Sequence, residues 1–214
     1  MQKKAPLAAV PSMPNGTREK ILDVSAQIFR IRGYSDTTMK HIADATGIKA
    51  ASIYYYFKSK DDLVEEVLNL GTLRVFDAVR QAIDSLPPET SSREKMVLAL
   101  KTHLKLLHTQ GDYTAANIRL FPEAPAPVVK RHMSVRRAYG HYWQEMLSEG
   151  QAQGAIAKSL DVEIIQMLLL GALNWSVQWY KPSLYQLEDV STSGISLLFD
   201  GLFHADEAAA NGEK

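Results

Sequence analysis

Apolar residues recur along this 214-residue chain at intervals of three and four, the period of helices that each bury one face. Ile21, Ile28 and Phe29, with Val24 or Ser25 between them, mark the inner face of a first helix, opened by Thr17 as N-cap and closed by Gly33. Met39, Ile42 and Ala43 share one side of a short second segment that ends at Gly47. Ile48, Ile53 and Phe57 form a third stripe, with Lys49, Ala51, Ser52, Tyr54 and Tyr55 lying off it. Leu63, Val64, Val67, Leu68 and Leu70 continue through Val75, Val79 and Ile83 until Pro87-Pro88 stops the helix. Met96, Val97, Leu100, Leu104 and Leu107 predict an amphipathic helix ending near Gly111, and a short helix follows over Thr114–Leu120. Beyond the proline-rich FPEAPAP, a long helix is predicted over Val128–Ala152, then an almost wholly apolar one over Val162–Trp179. Leu187, Val190, Ile195, Leu197, Leu198 and Leu202 supply the last stripe. With no strand-like alternation and no repeat, the pattern predicts an all-α fold.

The Val162–Trp179 stretch is near the length of a membrane span, but Glu163, Gln166, Asn174 and Gln178 interrupt it, so a helix buried all round within a bundle is expected instead. Residues 1–16 hold three prolines, two lysines and no continuous apolar run. They read as a flexible extension rather than a secretory signal, and residues 206–214 as a flexible tail. Charge changes the picture more than composition does. The formal net charge is zero, yet residues 1–60 carry ten Lys and Arg against four Asp and Glu, and the remainder fourteen against twenty, so a +6 segment precedes a −6 one. A basic head on an acidic body is the balance expected of a nucleic-acid-binding unit joined to a separate one. The absence of cysteine excludes disulfides, thiolate metal sites and cysteine nucleophiles, and suits a reducing cytoplasm.

The head's chemistry is concentrated in Thr37 to Leu63, TTMKHIADATGIKAASIYYYFKSKDDL. Two short helices around a glycine turn suit a helix-turn-helix, whose second helix enters the major groove of DNA. Ala50, Ala51 and Ser52 are small enough for close approach, while Tyr54, Tyr55 and Tyr56 offer hydroxyls to phosphates and rings to thymine methyls. Lys49, Lys58 and Lys60 add charge that releases counterions. Ser59 and Asp62 have the spacing of a capping box, which places Lys60 on the first turn of the next helix, where free amides also face phosphate. On periodicity alone, the tyrosine run suits ordinary core packing equally well.

The whole set of residues resembles the DNA-binding domain of the TetR family of repressors. The resemblance rests on Gly33-Tyr34, Thr37-Thr38, Ile42-Ala43, Gly47-Ile48, Ser52-Ile53-Tyr54, Phe57 and Ser59-Lys60, and covers about 50 residues from Thr17 to Leu63. Tyr56 stands where many relatives carry histidine. The family implies an N-terminal three-helix DNA-binding domain at 17–63 and a helical ligand-binding and dimerisation domain at 64–205, about nine helices in all. It also implies a double-stranded operator contacted through Thr37, Thr38, Lys49, Ala51, Ser52, Tyr54, Tyr55, Tyr56 and Lys60. The final two helices would pair with their twofold mates in a homodimer, matching two recognition helices to two half-sites. Lys3 and Lys4 fit either a solvated tail or an arm in the minor groove.

The body's segment Leu169–Pro182, LLGALNWSVQWYKP, is similar to the corresponding helix end in TetR regulators of fatty-acid and sterol catabolism, whose inducers are acyl-CoA thioesters. Trp175 and Trp179 lie on one helix face beside Asn174 and Gln178, where they suit either a pocket lining or dimer-interface core. Lys130, Arg131, Arg136 and Arg137 bracket His132 and suit either CoA phosphates or a solvated charged face. The candidate effector residues are Tyr113, Asn117, Phe121, Arg136, Tyr139, Trp143, Asn174, Trp175, Gln178 and Trp179. Catalysis finds no support: no histidines stand at helical metal spacing, His103 and His108 being five apart and His132 and His141 nine, and no phosphate loop, GxSxG or HExxH occurs. No enzyme, cofactor, metal or membrane partner is expected. The readings converge on a repressor that binds a palindromic operator as a dimer and is released by a small hydrophobic effector such as an acyl-CoA. Two rivals stay open: a TetR-type repressor induced by a drug or another bulky apolar compound, and an all-helical ligand carrier without operator binding.

Overall fold

A computed structural model of the chain describes residues 16–109 and 111–200. The expected flexible segments lie outside these residues except for Gly16, as do Lys3, Lys4 and Leu202. The described residues form nine helices and no strand, as the periodicity predicts: α1 (Thr17–Arg32), α2 (Met39–Thr46), α3 (Ala50–Tyr56), α4 (Lys60–Asp84), α5 (Ser92–Thr109), α6 (Gly111–Glu123), α7 (Ala126–Ala152), α8 (Val162–Trp179) and α9 (Leu187–Phe199). No helix among them is long and apolar enough to cross a membrane. Contacts divide the chain into two units, with α4 and α7 each contributing to both.

The first unit holds α1 to α3, α4 up to Arg74, α6, and α7 up to Arg136. Ile21, Leu22, Ser25, Ala26 and Phe29 are the buried face of α1, so Ile21 and Phe29 line it as predicted with Ser25 rather than Val24 between them, Leu22 and Ala26 join it, and Ile28 packs at its edge. Gly16 rather than Thr17 is the N-cap, and no side chain caps this end. At the other end Gly33, at φ 73° and ψ −169°, donates its N–H to Phe29 O. That conformation belongs almost solely to glycine. The α2 cap is reciprocal: Thr38 Oγ1 accepts from the His41 N–H at 3.2 Å, and the Thr38 N–H donates to His41 Nδ1 at 3.3 Å. Gly47 is left-handed and ends α2 by donating to Ala43 O. Ile42, Ile53 and Phe57 close over α1 and α4 with Leu63, Val64 and Val67. Gly71 of α4 lets α6 approach, since a Cβ there would stand 2.9 Å from Tyr113 O.

The second unit comprises the rest of α4, α5, α7 from Arg137, α8 and α9. Its core gathers Val75, Phe76 and Val79 of α4, Met96, Leu100 and Leu104 of α5, Trp143 and Leu147 of α7, and Leu169 and Leu173 of α8. Within this unit α5 meets both α8 and α9, and Lys101–Glu188 and Arg93–Asp200 ion pairs rim the second contact. The expectation that α8 is buried all round is corrected: only Leu169, Leu173 and Ser176 are buried. Ile164, Met167, Leu168, Trp175 and Trp179 are exposed along one stripe, as are Leu197 and Leu198 of α9. A single chain covers one face of each helix and leaves the other bare.

Candidate functional site

The turn at Gly47 presents α3 with a dry face and a wet one. Ile53 and Phe57 are buried, whereas Lys49, Ala50, Ala51, Ser52, Tyr54, Tyr55, Tyr56 and Lys58 are exposed. Tyr55 is 84% exposed and meets Tyr56 edge to face at 5.2 Å. This departs from core packing, in which rings give up most of their surface to neighbours. No carboxylate occurs between Asp44 and Asp61, so the exposed face is uniformly neutral or basic. Thr38 is exposed beside it at the start of α2.

Two of the expected contact residues face inward. Thr37 is fully buried, and its hydroxyl donates to Gly33 O at 2.8 Å. Lys60 Nζ donates to Tyr34 O at 2.9 Å and Thr37 O at 3.0 Å and stands 3.8 Å from the Tyr34 ring centre. Tyr34 in turn donates its hydroxyl to Asp61 Oδ1, and burial first, then the Asp61 bond, push its pKa up to about 12. Thr37 and Lys60 therefore clasp the connection from α1 to α2, which fixes where α2 and α3 stand. Ser59 Oγ accepts from the Asp62 N–H at 3.1 Å and caps α4.

The candidate effector residues fall in two places. In the first unit, Tyr113 donates to Asp23 Oδ1 at 2.8 Å under the Arg74 guanidinium, and Asn117 Nδ2 donates to Leu68 O and Thr72 Oγ1. Both polar groups are already partnered. Phe121 is flanked by Arg136, 4.1 Å from its ring centre, and by His132, centroid to centroid 6.1 Å. His132 is fully buried, and its Nδ1 lies 2.7 Å from Asn69 Oδ1. Burial, then the nearby Arg136 charge, lower its pKa to about 4, so the ring is neutral. Since the Asn69 oxygen accepts, Nδ1 carries the proton and Nε2 a lone pair, and that lone pair has no partner. Of the surrounding cations, Lys130, Arg131 and Arg137 are exposed, and Arg131 pairs with Glu65.

In the second unit, His103 is 3% exposed between Tyr139 and Asn174. Burial lowers its pKa to about 4. A neutral ring has one N–H: Nε2 donates it to Asn174 Oδ1 at 3.3 Å, and Nδ1 accepts the Tyr139 hydroxyl at 2.7 Å. Trp143 meets both rings edge to face and is fully buried, its Nε1 without a partner. Beside them, His108 Nε2 donates to Ser176 Oγ at 2.8 Å. Tyr139, Trp143 and Asn174 are thus brought together around His103, which was absent from the expected set. Its signal was present in the sequence: it stands three residues after Leu100, on the apolar face of α5. Trp175, Gln178 and Trp179 are exposed, and Trp175 and Trp179 belong to the bare stripe of α8.

Comparison with known proteins agrees with this geometry. Residues 21–67 match the model of bacterial regulatory proteins of the tetR family, and residues 89–202 match the tetracyclin repressor-like C-terminal domain. The HTH-type transcriptional repressor KstR2 of Mycolicibacterium smegmatis is 30% identical over 174 residues, which are 80% of this chain and 83% of the repressor. The fatty acid degradation regulator FadR from Bacillus halodurans superposes with a TM-score of 0.78 at 24% identity, over 90% of this chain and 100% of FadR. A transcriptional regulator FadR from Bacillus subtilis, solved with stearoyl-CoA, superposes with a TM-score of 0.76 at 21% identity, over 86% of this chain and 99% of that one.

Proposed function

Because the chain belongs to the TetR family of bacterial regulatory proteins, we propose that it is a cytoplasmic transcriptional repressor that holds a palindromic operator as a homodimer and leaves it when a CoA thioester binds. The observation that carries the DNA half is the exposed, carboxylate-free face of α3, from Lys49 to Lys58. Ala51 and Ser52 permit approach to the base edges, while Tyr54, Tyr55, Tyr56 and Lys49 reach phosphates or methyl groups. Thr38 joins them from α2, while Thr37 and Lys60 act by holding the α1–α2 connection.

The bare stripe of α8 and α9 supports the dimer. Ile164, Met167, Leu168, Trp175 and Trp179 are the kind of contiguous apolar surface that a second copy covers. A twofold axis through it gives two copies of α3 related like the halves of a palindrome. For the effector, the relatives support a thioester of a fatty or steroid acid: one is a fatty acid degradation regulator, another was solved with stearoyl-CoA, and KstR2 of Mycobacterium tuberculosis is a ketosteroid transcriptional regulator. The effector acts by binding more tightly to a dimer whose α3 helices no longer match the operator.

The neutral aromatic cluster of His103, Tyr139, Trp143 and Asn174 favours a second reading of the effector alone, a bulky uncharged compound held without phosphate contacts. The test is a mobility shift on the DNA upstream of the protein's own gene, with acyl-CoAs, free acids and unrelated apolar drugs added in turn. Release by thioesters alone is expected. Release only by drugs replaces the effector, and failure to select any sequence in a genome-wide binding screen removes the repressor.

A further inference from the structure

We propose that His132 is a specificity-determining residue for the effector, its Nε2 accepting a hydrogen bond from an N–H or O–H of the pantetheine arm while Arg136 takes a phosphate of the same molecule. The inference rests on the thioester reading above. It begins from an unmet need: Nε2 of His132 is a buried acceptor with no partner among the described residues, on a side chain with no exposed surface. Buried acceptors are nearly always paired, and an exception is a place to look for a ligand. The other ring nitrogen is fixed by Asn69 at 2.7 Å, so the free lone pair has one orientation and asks for a donor, which excludes a carboxylate or a bare carbonyl.

The neighbours narrow the chemistry further. Arg136 stands one helical turn further along α7 and lies against the same Phe121 ring as His132. It is half-buried and has no carboxylate partner among the described residues. A guanidinium without a counter-ion takes an anion, and its fork suits a phosphate. An acceptor and an unpaired cation beside one aromatic ring together fit a molecule with a phosphate followed by hydroxyl or amide donors. The arm of a CoA thioester has that order, and a free fatty acid does not.

The test compares wild type with His132→Asn and Arg136→Met by titration calorimetry. The probes are octanoyl-CoA, stearoyl-CoA, a steroid-acid CoA thioester and octanoyl-pantetheine, which keeps the donors and lacks the nucleotide phosphates. Asparagine retains a donor toward Asn69 and removes the Nε2 lone pair. His132→Asn is expected to weaken the best thioester and octanoyl-pantetheine alike, by about tenfold. Arg136→Met should weaken the CoA forms and leave octanoyl-pantetheine unchanged. Operator binding by ligand-free protein should stay at wild-type values in both variants, and the melting temperature, measured alongside, separates the packing loss at the buried 132 position from the loss of ligand contact. Equal thioester affinity in wild type and His132→Asn overturns the inference and leaves the thioester reading standing. Wild type that selects an operator but binds none of these probes overturns both.

Discussion

Lys60 donates to two main-chain carbonyls, and a methionine at that position takes this donor from both, leaving Tyr34 O with the Thr37 N–H alone. Lys60→Met should therefore lower the denaturant midpoint, by about 1–3 kcal/mol of stability, and weaken operator binding as a consequence. Tyr55, with most of its ring in water, gives the opposite signature. Tyr55→Ala should leave the melting temperature unchanged and reduce operator affinity by roughly tenfold in a fluorescence anisotropy titration. The two buried imidazoles set a pH dependence. His103 and His132 each have a folded pKa of about 4 against 6.5 for the free side chain, so the unfolded chain takes up protons first on acidification. Stability is undiminished above the unfolded value and is lost as pH falls from 6.5 toward 4, by up to about 1.4 kcal/mol per pH unit for each ring. Urea midpoints at neutral pH and at about pH 5 should differ accordingly, and His132→Asn should remove part of the difference.

At the scale of the element, the two glycine helix ends look alike in sequence and differ in what surrounds them. Gly47 is left-handed with open space where a Cβ would go, so Gly47→Ala should cost only the backbone strain, about 1 kcal/mol. Gly33 sits in a region reserved for glycine, and a Cβ would stand 2.3 Å from the Glu123 carboxylate, which accepts the Tyr34 N–H. Gly33→Ala should cost about 2–3 kcal/mol in the same denaturation assay. Glu123 is one of three groups by which α6 is fastened along α1 and the turn that follows it, with the Tyr113–Asp23 bond and the Arg30–Asp112 ion pair. None of the three was legible in the sequence, because each joins residues about 80 to 90 positions apart and has no local period. The helices themselves were legible wherever apolar spacing ran uninterrupted, and α8 was read at its observed bounds. The short α6 was underestimated: Gly111 reads as a stop yet opens the helix, and Pro122 lies inside its last turn. Its missing N–H there removes a single bond, which the surrounding unit tolerates. Among the site residues, the exposed positions of α3 followed from the Ile53–Phe57 stripe. The inward turn of Lys60 did not, since its partners are carbonyls whose identity no side chain announces.

For the molecule as a whole, apolar periodicity states that a helix face is covered and is silent on whether the same chain or another covers it. That is why α8 reads as fully buried and stands half bare. If a second copy supplies the cover, Leu168→Glu, which places a carboxylate at a 67%-exposed leucine on that stripe, should yield a monomer in sedimentation and abolish tight operator binding. Helical content should not change. The distribution of the three tryptophans then makes the protein its own optical gauge. Trp143 has no exposed surface, whereas Trp175 and Trp179 are 66% and 42% exposed on the bare stripe. Red-edge emission and iodide quenching therefore report only the latter two. On dilution from micromolar to nanomolar concentration, a blue-shifted and protected spectrum should give way to a red-shifted, quenchable one, so the association constant can be read from the unlabelled protein by light alone.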